Sequence, residues 1–371
     1  MYLFILGRQP EISLAELKSV FGNAELILPD VALVKSDSPP DINRLGGTRK
    51  IGRVIYDNDG EPGKFLTDKF SNLPAGKITL GISHYGKNMS AKTAGKTGMF
   101  IKKHLDRSVR ILPNSAADIS DAATLGNKLG TVPNKVELLM AYIGHRLIIA
   151  ELIGVQDLNA YTLRDRGRPK RDARVGMLPP KLAQIMINLA SAKQSSGTLL
   201  DPFCGTGVVL QEAALMGYDI YGTDIDPRMI SYTKANLDWL AKQKSYALRL
   251  TPSKLEIGDA TNFKWATPID LVVSETYLGQ PYSTPPPMEK LRENMNTCNT
   301  IIEKFLINIA PQLKSGTPFC LAIPAWFVSG KTHHLSVINN TNKLGFALNS
   351  KLIYRRENQI VGRELLVLIK K

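Results

Sequence analysis

The sequence predicts an α/β fold on three observations. A β-α-β unit with two close glycines lies between Leu199 and Asp226, short apolar runs alternate with helix-like segments along most of the chain, and the net charge is +14 over 371 residues. The length suits two or three domains, with enough apolar content for more than one core. A charge of that sign implies attraction to a polyanion, nucleic acid being the usual one. No apolar run is long enough to span a membrane. Cys204, Cys298 and Cys320 are scattered, with neither Cys-x-x-Cys nor zinc-like His spacing, so a reducing cytoplasm and no metal site are expected.

Met1 to Leu6 reads as a strand; it lacks the basic start and cleavage site of a signal peptide. Ser13 to Phe21 follows as an amphipathic helix, with Glu16 three residues after Ser13 in the spacing of a capping box. Val31–Val34 and Ile51–Tyr56 alternate like strands, and Pro39-Pro40 and Asp57 to Gly60 mark turns. Residues 1–76 are thus expected to form a small ferredoxin-like α/β region.

A second unit is expected over 77–160. Ile78 to Ser83 is strand-like, a Lys-rich helix runs to Leu105, and Val109 to Pro113 is a further strand. Helical residues around Leu125 to Leu129 precede two more strands, Val136–Tyr142 and Arg146–Ile153. Between Ile78 and Lys103 stand Lys87, Lys92, Lys96, Lys102 and Lys103 with no acid among them, a one-sided cluster suited to phosphate contacts. The simpler reading of each lysine is a solvated surface charge. Residues 161–176 have little apolar content and read as a basic linker in which Arg164, Arg166, Arg168, Lys170, Arg171 and Arg174 are candidates to grip phosphates.

The remaining domain, 177–371, opens with a helix after Pro179-Pro180. Thr198 to Leu200 should be a buried parallel strand, and Gly205 and Gly207 let the next turn bring bare backbone to a ligand. The helix from Val208 to Met216 points its first amides at the same spot. Asp224, about twenty residues beyond the loop, is placed to accept from two ribose hydroxyls, and Asp259 from an adenine amino group. Asp224 and Asp226 also fit a helix cap before Pro227, and the two roles are compatible. In the dinucleotide fingerprint the third glycine would fall on Leu210, which argues against NAD and FAD. Ile269–Val273 is a core strand, Leu291–Leu313 a long helix and Phe319–Ile323 a fifth strand. Phe346–Leu352 and Glu364–Ile369 pair antiparallel at the sheet edge, where Arg355, Arg356 and Arg363 read as solvated charges.

Asp201-Pro202-Phe203-Cys204-Gly205-Thr206-Gly207, followed by Asp224 and Asp259, resembles the S-adenosylmethionine site of class I methyltransferases. The α/β order and basic helix before it resemble the THUMP domain, an RNA-binding module of tRNA-modifying enzymes. Together they resemble the THUMP-containing tRNA guanosine-N2 methyltransferases that act at position ten. The resemblance spans nearly the whole chain and is closest from Arg164 to Asp226. It implies a Rossmann-like domain with a seven-stranded mixed sheet. S-adenosylmethionine would be held by the Asp201–Gly207 loop, Asp224, Ile225, Asp259 and Ala260, tRNA would be the substrate, and some relatives need a small activating subunit.

The family places Asp or Asn, Pro, Pro and an aromatic residue after the fourth strand. An exocyclic amine is a poor nucleophile until acceptors hold its hydrogens and direct its lone pair at the methyl, while the aromatic ring stacks the base. Here the same place reads Ser274-Glu275-Thr276-Tyr277, keeping only the aromatic. Three readings follow. Ser274 and its carbonyl, or Glu275, supply the acceptor and Tyr277 stacks the base; Gly279-Gln280-Pro281-Tyr282 replaces the motif; or the chemistry is changed or lost, leaving an RNA-binding protein or a methyltransferase for another atom. Glu275 also fits a plain charge at the cleft mouth. A DNA adenine-N6 methyltransferase would use the same core, and the front half of the chain argues for RNA.

Overall fold

The N-terminal apolar run becomes β1 (Tyr2–Leu6) with every residue buried. Its alternate residues enter two different clusters, Tyr2, Phe4 and Leu6 on one face and Leu3 and Ile5 on the other, so both faces of the sheet are covered here. The computed structural model describes all residues except 173–176, 192–193, 195, 244–252, 267 and 358, so Arg174 and Gly176 lie outside the described residues. The chain divides into two units, Met1–Ala160 and Tyr161–Lys371.

In the first unit α1 (Pro10–Phe21) starts earlier than the capping-box spacing suggests, because Pro10 is pre-set for a first helical turn. Ser13 lies inside the helix and donates to the Gln9 carbonyl, while the buried Glu16 carboxylate accepts from the Gly46 and Gly47 amides at 2.9 and 2.8 Å. The expected box is therefore replaced by a tie to a distant loop. Next come β2 (Ala24–Leu28), β3 (Val31–Val34), β4 (Thr48–Asn58), α2 (Gly63–Ser71), β5 (Ile78–Tyr85) and α3 (Ala91–Lys103). The unit continues with β6 (Val109–Ile111), α4 (Asp121–Gly126), β7 (Lys135–Ile143) and β8 (Arg146–Val155).

The strands form one sheet in the order β2-β3-β1-β4-β8-β7-β5-β6. Residues 1–76 and 77–160, expected as separate regions, are joined through the antiparallel pair of β4 and β8. Pairing satisfies two strand edges that would otherwise stay open. Lys50 on β4 and Glu137 on β7 form a fully buried ion pair at 2.5 Å, and Glu137 also accepts from Ser83 and Thr124. That network crosses the line between the two expected regions. In α3, Ser90 and Thr93 build a capping box, Ala94, Gly98 and Ile101 face inward, and Lys92, Lys96, Lys102 and Lys103 are exposed.

Helix α5 (Leu158–Arg166) contains the division between the units and replaces the first part of the expected linker. Its Tyr161 and Arg164 are buried. The second unit continues with α6 (Pro180–Ser191), β9 (Thr198–Asp201), α7 (Val208–Leu215), β10 (Asp219–Asp224), α8 (Pro227–Ala241) and β11 (Ser253–Ile257). Then come β12 (Leu271–Glu275), α9 (Met288–Ile309), β13 (Pro318–Val328), β14 (Lys331–His333), β15 (Phe346–Tyr354) and β16 (Val361–Lys370).

Its sheet runs β11-β10-β9-β12-β13-β16-β15, parallel up to β13 and antiparallel beyond it. The expected seven strands are this path, and β14 adds a short hairpin strand on β13. The strand order reverses between β9 and β12, and ligands of open α/β sheets bind at that point, beyond the carboxyl ends of the strands. Among the described residues no helix is long and apolar enough to cross a membrane.

Candidate active site

Beyond the carboxyl ends of β9, β10 and β12 lies a cavity of about 610 Å³, within the usual size for small-molecule sites. Asp201 through Thr206 form one wall and Asp224, Ile225 and Asp226 another, with Gly258 to Thr261 and Glu275 to Leu278 completing the rim. The loop after β9 turns through Gly205 (φ +50) and Gly207 (φ +82), conformations that side chains resist. A Cβ on Gly207 would also meet Thr233 of α8 at 2.8 Å. Gly207 therefore sits behind the loop as part of its support, outside the cavity wall.

Asp224 ends β10, where its carboxylate accepts from the Gly205 amide at 2.9 Å and the Asp226 amide at 3.0 Å. It thus locks the glycine loop while presenting an edge to the cavity. Burial raises its pKa, partly offset by the two amides. Asp226 caps α8 by accepting from Arg228, with Pro227 in the first turn, so the two aspartates divide the work. Ile225 is 66% exposed beside them, an apolar surface at the cavity edge. Asp259 accepts from the backbone and hydroxyl of Thr261, and Ala260 is buried next to it. Cys204 is packed against Thr233 and its thiol is pushed well up by burial, which leaves it unsuited to nucleophilic work.

The motif after β12 is less open than its spacing suggests. Ser274 is fully buried and donates to Asp201 at 2.6 Å, facing into the fold. Burial raises the Asp201 carboxyl to about 7, opposed by the hydrogen bonds from Ser274 and the Phe203 amide. Glu275 lines the cavity and is ion-paired with Arg363 of β16. Arg363 is only 7% exposed, so the reading of it as a solvated edge charge is corrected. Burial raises the Glu275 carboxyl and the guanidinium beside it pulls it back. Tyr277, 39% exposed, reaches the rim. The Gly279-Gln280-Pro281-Tyr282 stretch is tied down instead: Asn294 of α9 accepts from the Gln280 amide at 3.1 Å and donates to the Tyr282 hydroxyl at 3.2 Å. The cavity wall stops at Leu278, so this stretch has no part in it.

Two basic candidates are not available to phosphate. Arg164 is 5% exposed, bonded to the buried Glu212 at 2.7 Å and stacked over Tyr161 at 4.4 Å. Arg168 is 3% exposed and donates to Thr206 of the glycine loop at 3.2 Å. The low apolar content of residues 161–176 gave no hint that these two arginines are buried. Arg166, Lys170, Arg171, Lys87, Lys92 and Lys96 are exposed. Sequence reading missed Thr300, Ile301 and Lys304, which line the cavity from one face of α9. Their helical spacing was legible, but nothing marked which face of so long a helix meets a ligand.

The wall carries Asp172, Asp201, Asp224, Asp226, Asp259 and Glu275 against Arg228 and Lys304. An acidic cavity with bare backbone at one end and apolar Ile225 at the other fits a nucleoside bearing a cationic sulfonium. Fold and cavity define a class I methyltransferase that uses S-adenosylmethionine. Residues 168–298 match the family described as RMKL-like, methyltransferase domain. A tRNA (guanine(10)-N2)-dimethyltransferase from Pyrococcus abyssi is 27% identical over 275 residues, 72% of this chain and 74% of that one. Another of the same name, from Methanothermobacter thermautotrophicus, is 33% identical over 149 residues, 40% of this chain and 39% of that one. The crystal structure of TrmN from Thermus thermophilus matches the fold with a TM-score of 0.52 at 16% identity, covering 100% of this chain and 99% of the other. The chain is thus similar to tRNA (guanine(10)-N2)-dimethyltransferases over most of its length, with the methyltransferase domain matched at residues 168–298.

Proposed function

We propose that the protein methylates the exocyclic N2 of a guanosine in tRNA. The observation that carries this reading is the pairing of an acidic nucleoside cavity with a fixed acceptor, Glu275, and an exposed aromatic ring, Tyr277, on the same rim. Bound S-adenosylmethionine supplies an electrophilic methyl group. Asp224 holds the ribose, Asp259 the adenine, Ile225 packs on the adenine face, and the Gly205–Gly207 loop carries the methionine side. Glu275 accepts an N2 hydrogen of the guanine and aims the nitrogen lone pair along the line of transfer. Arg363 opposes the upward push of burial on that carboxyl and fixes its position, so the pair takes the place of the missing amide. Ser274 acts one layer back, through Asp201. Tyr277 stacks the base, which is turned out of its helix at a cost of a few kcal/mol.

The first unit serves as a THUMP-like tRNA-binding region, with Lys87, Lys92 and Lys96 on its exposed surface meeting phosphates. Arg166, Lys170 and Arg171 are exposed basic residues of the second unit that would also meet phosphates. The test incubates the purified protein with unmodified tRNA transcripts and isotope-labelled S-adenosylmethionine, then identifies labelled nucleosides by mass spectrometry. Labelled N2-methylguanosine or its dimethyl form is expected. Label on another nucleoside keeps the enzyme and removes the target. Absence of label despite cofactor and tRNA binding would mean a binding protein, or an enzyme that needs a small activating subunit.

A further inference from the structure

We infer that Arg168 binds the carboxylate of the cofactor's methionine end, at the Thr206 side of the cavity. The inference rests on the S-adenosylmethionine reading of the cavity and deepens it. Arg168 is 3% exposed, yet no carboxylate among the described residues forms an ion pair with it. Its guanidinium donates to Thr206 Oγ1 at 3.2 Å and approaches Met177 Sδ at 3.6 Å, and both of those residues line the cavity. Nε is buried and has no hydrogen-bond partner. A buried cation without a counter-ion is costly unless a ligand completes it.

Arg168 stands just behind the wall at Thr206 and Met177, and the two cations that line the cavity, Arg228 and Lys304, are placed elsewhere. Arg228 pairs with Asp172 and Asp226 on the Asp224 side, and Lys304 projects from α9 beside Thr300 and Ile301. The methionine end of the cofactor carries one carboxylate into a cavity otherwise lined by acids. Arg168 stands against the loop that takes that end. Asp165 and Glu212 act on Arg168 through space, and Glu212 is bonded to Arg164 with its second oxygen unpartnered. The competing account is that Arg168 only balances Glu212 inside the fold.

Calorimetric titration separates the two accounts with two ligands, S-adenosylhomocysteine and its decarboxylated analogue, which keeps the amine. Arg168→Met should weaken S-adenosylhomocysteine by about tenfold or more, the loss of one charged hydrogen bond, and change the analogue by less than about twofold. Arg168→Lys, which retains the charge, should fall between. Equal loss for both ligands, or an unchanged affinity for S-adenosylhomocysteine, overturns the inference and leaves Arg168 as a structural partner of Glu212. If Arg168→Met does not fold, the Lys variant and the wild type decide: a wild type that binds both ligands equally well also overturns it. A wild type that binds neither ligand fails the cofactor reading itself.

Discussion

Asp201 shows how one residue can serve the fold and the site at once. Its carboxyl is held between the Ser274 hydroxyl and the Phe203 amide, and burial lifts it from 3.8 to about 7. The folded protein therefore keeps a proton there that the unfolded chain releases. The stability from this group is full below 3.8 and lost as pH rises through about 7. The unfolding free energy of the wild type, measured against Asp201→Asn in the same buffers, should fall over that window; a flat difference would remove Asp201 as the source. Tyr277 is the second residue with an assigned task. Tyr277→Ala should lower kcat by about tenfold or more while changing cofactor affinity by less than about twofold, because stacking orients the base and leaves the cofactor pocket untouched. Single-turnover rates beside equilibrium titration of S-adenosylhomocysteine check the split. The acidic loop residues were readable in the sequence because loop, strand and helix are contiguous there. Arg168 and Arg363 were misread because burial is decided by partners far along the chain, which local composition does not record.

Among the elements, β16 does more than close the sheet. It brings Arg363 from beyond β13 to the carboxylate at the end of β12. Removing one partner of such a pair strands a charge in a low-dielectric site, so Arg363→Met should cost about 3–5 kcal/mol in urea denaturation. Replacing both, as Glu275→Leu with Arg363→Met, should recover most of that loss in stability. A single variant as stable as the wild type would show that the pair holds nothing. The strands from β9 to β13, though not their order, were legible because apolar runs alternate with helices, the mark of parallel crossovers. The single sheet of the first unit was not: its key pairing of β4 with β8 joins segments about ninety residues apart, and no local period predicts a partner at that distance.

For the molecule as a whole, the proposed function makes charge the governor of the encounter with RNA. Lys87, Lys92 and Lys96 are exposed on the first unit, Lys96 beside Met99 and Phe100, which are 58% and 47% exposed. Neutralising all three lysines to Gln should reduce the slope of log affinity against log salt by about two, given about 0.7–0.9 per phosphate contact. An unchanged slope, read by filter binding or fluorescence anisotropy, would return them to surface solvation. The overall charge overstates what is available to a polyanion: Arg164 and Arg168 count toward the total and are buried.

The ion pair between Glu275 and Arg363 also imposes an order of events during synthesis. Glu275 is made 88 residues before its counter-ion, and chains emerge from their N terminus. Until β16 arrives and docks on β13, the Glu275 side of the cavity rim has a carboxyl without its counter-ion that stays in water or takes up a proton. The cofactor loop can form early from neighbouring residues, whereas the acceptor side of the cleft matures only once β16 has been made. A nascent chain could thus hold the methyl donor before it has anywhere to aim it.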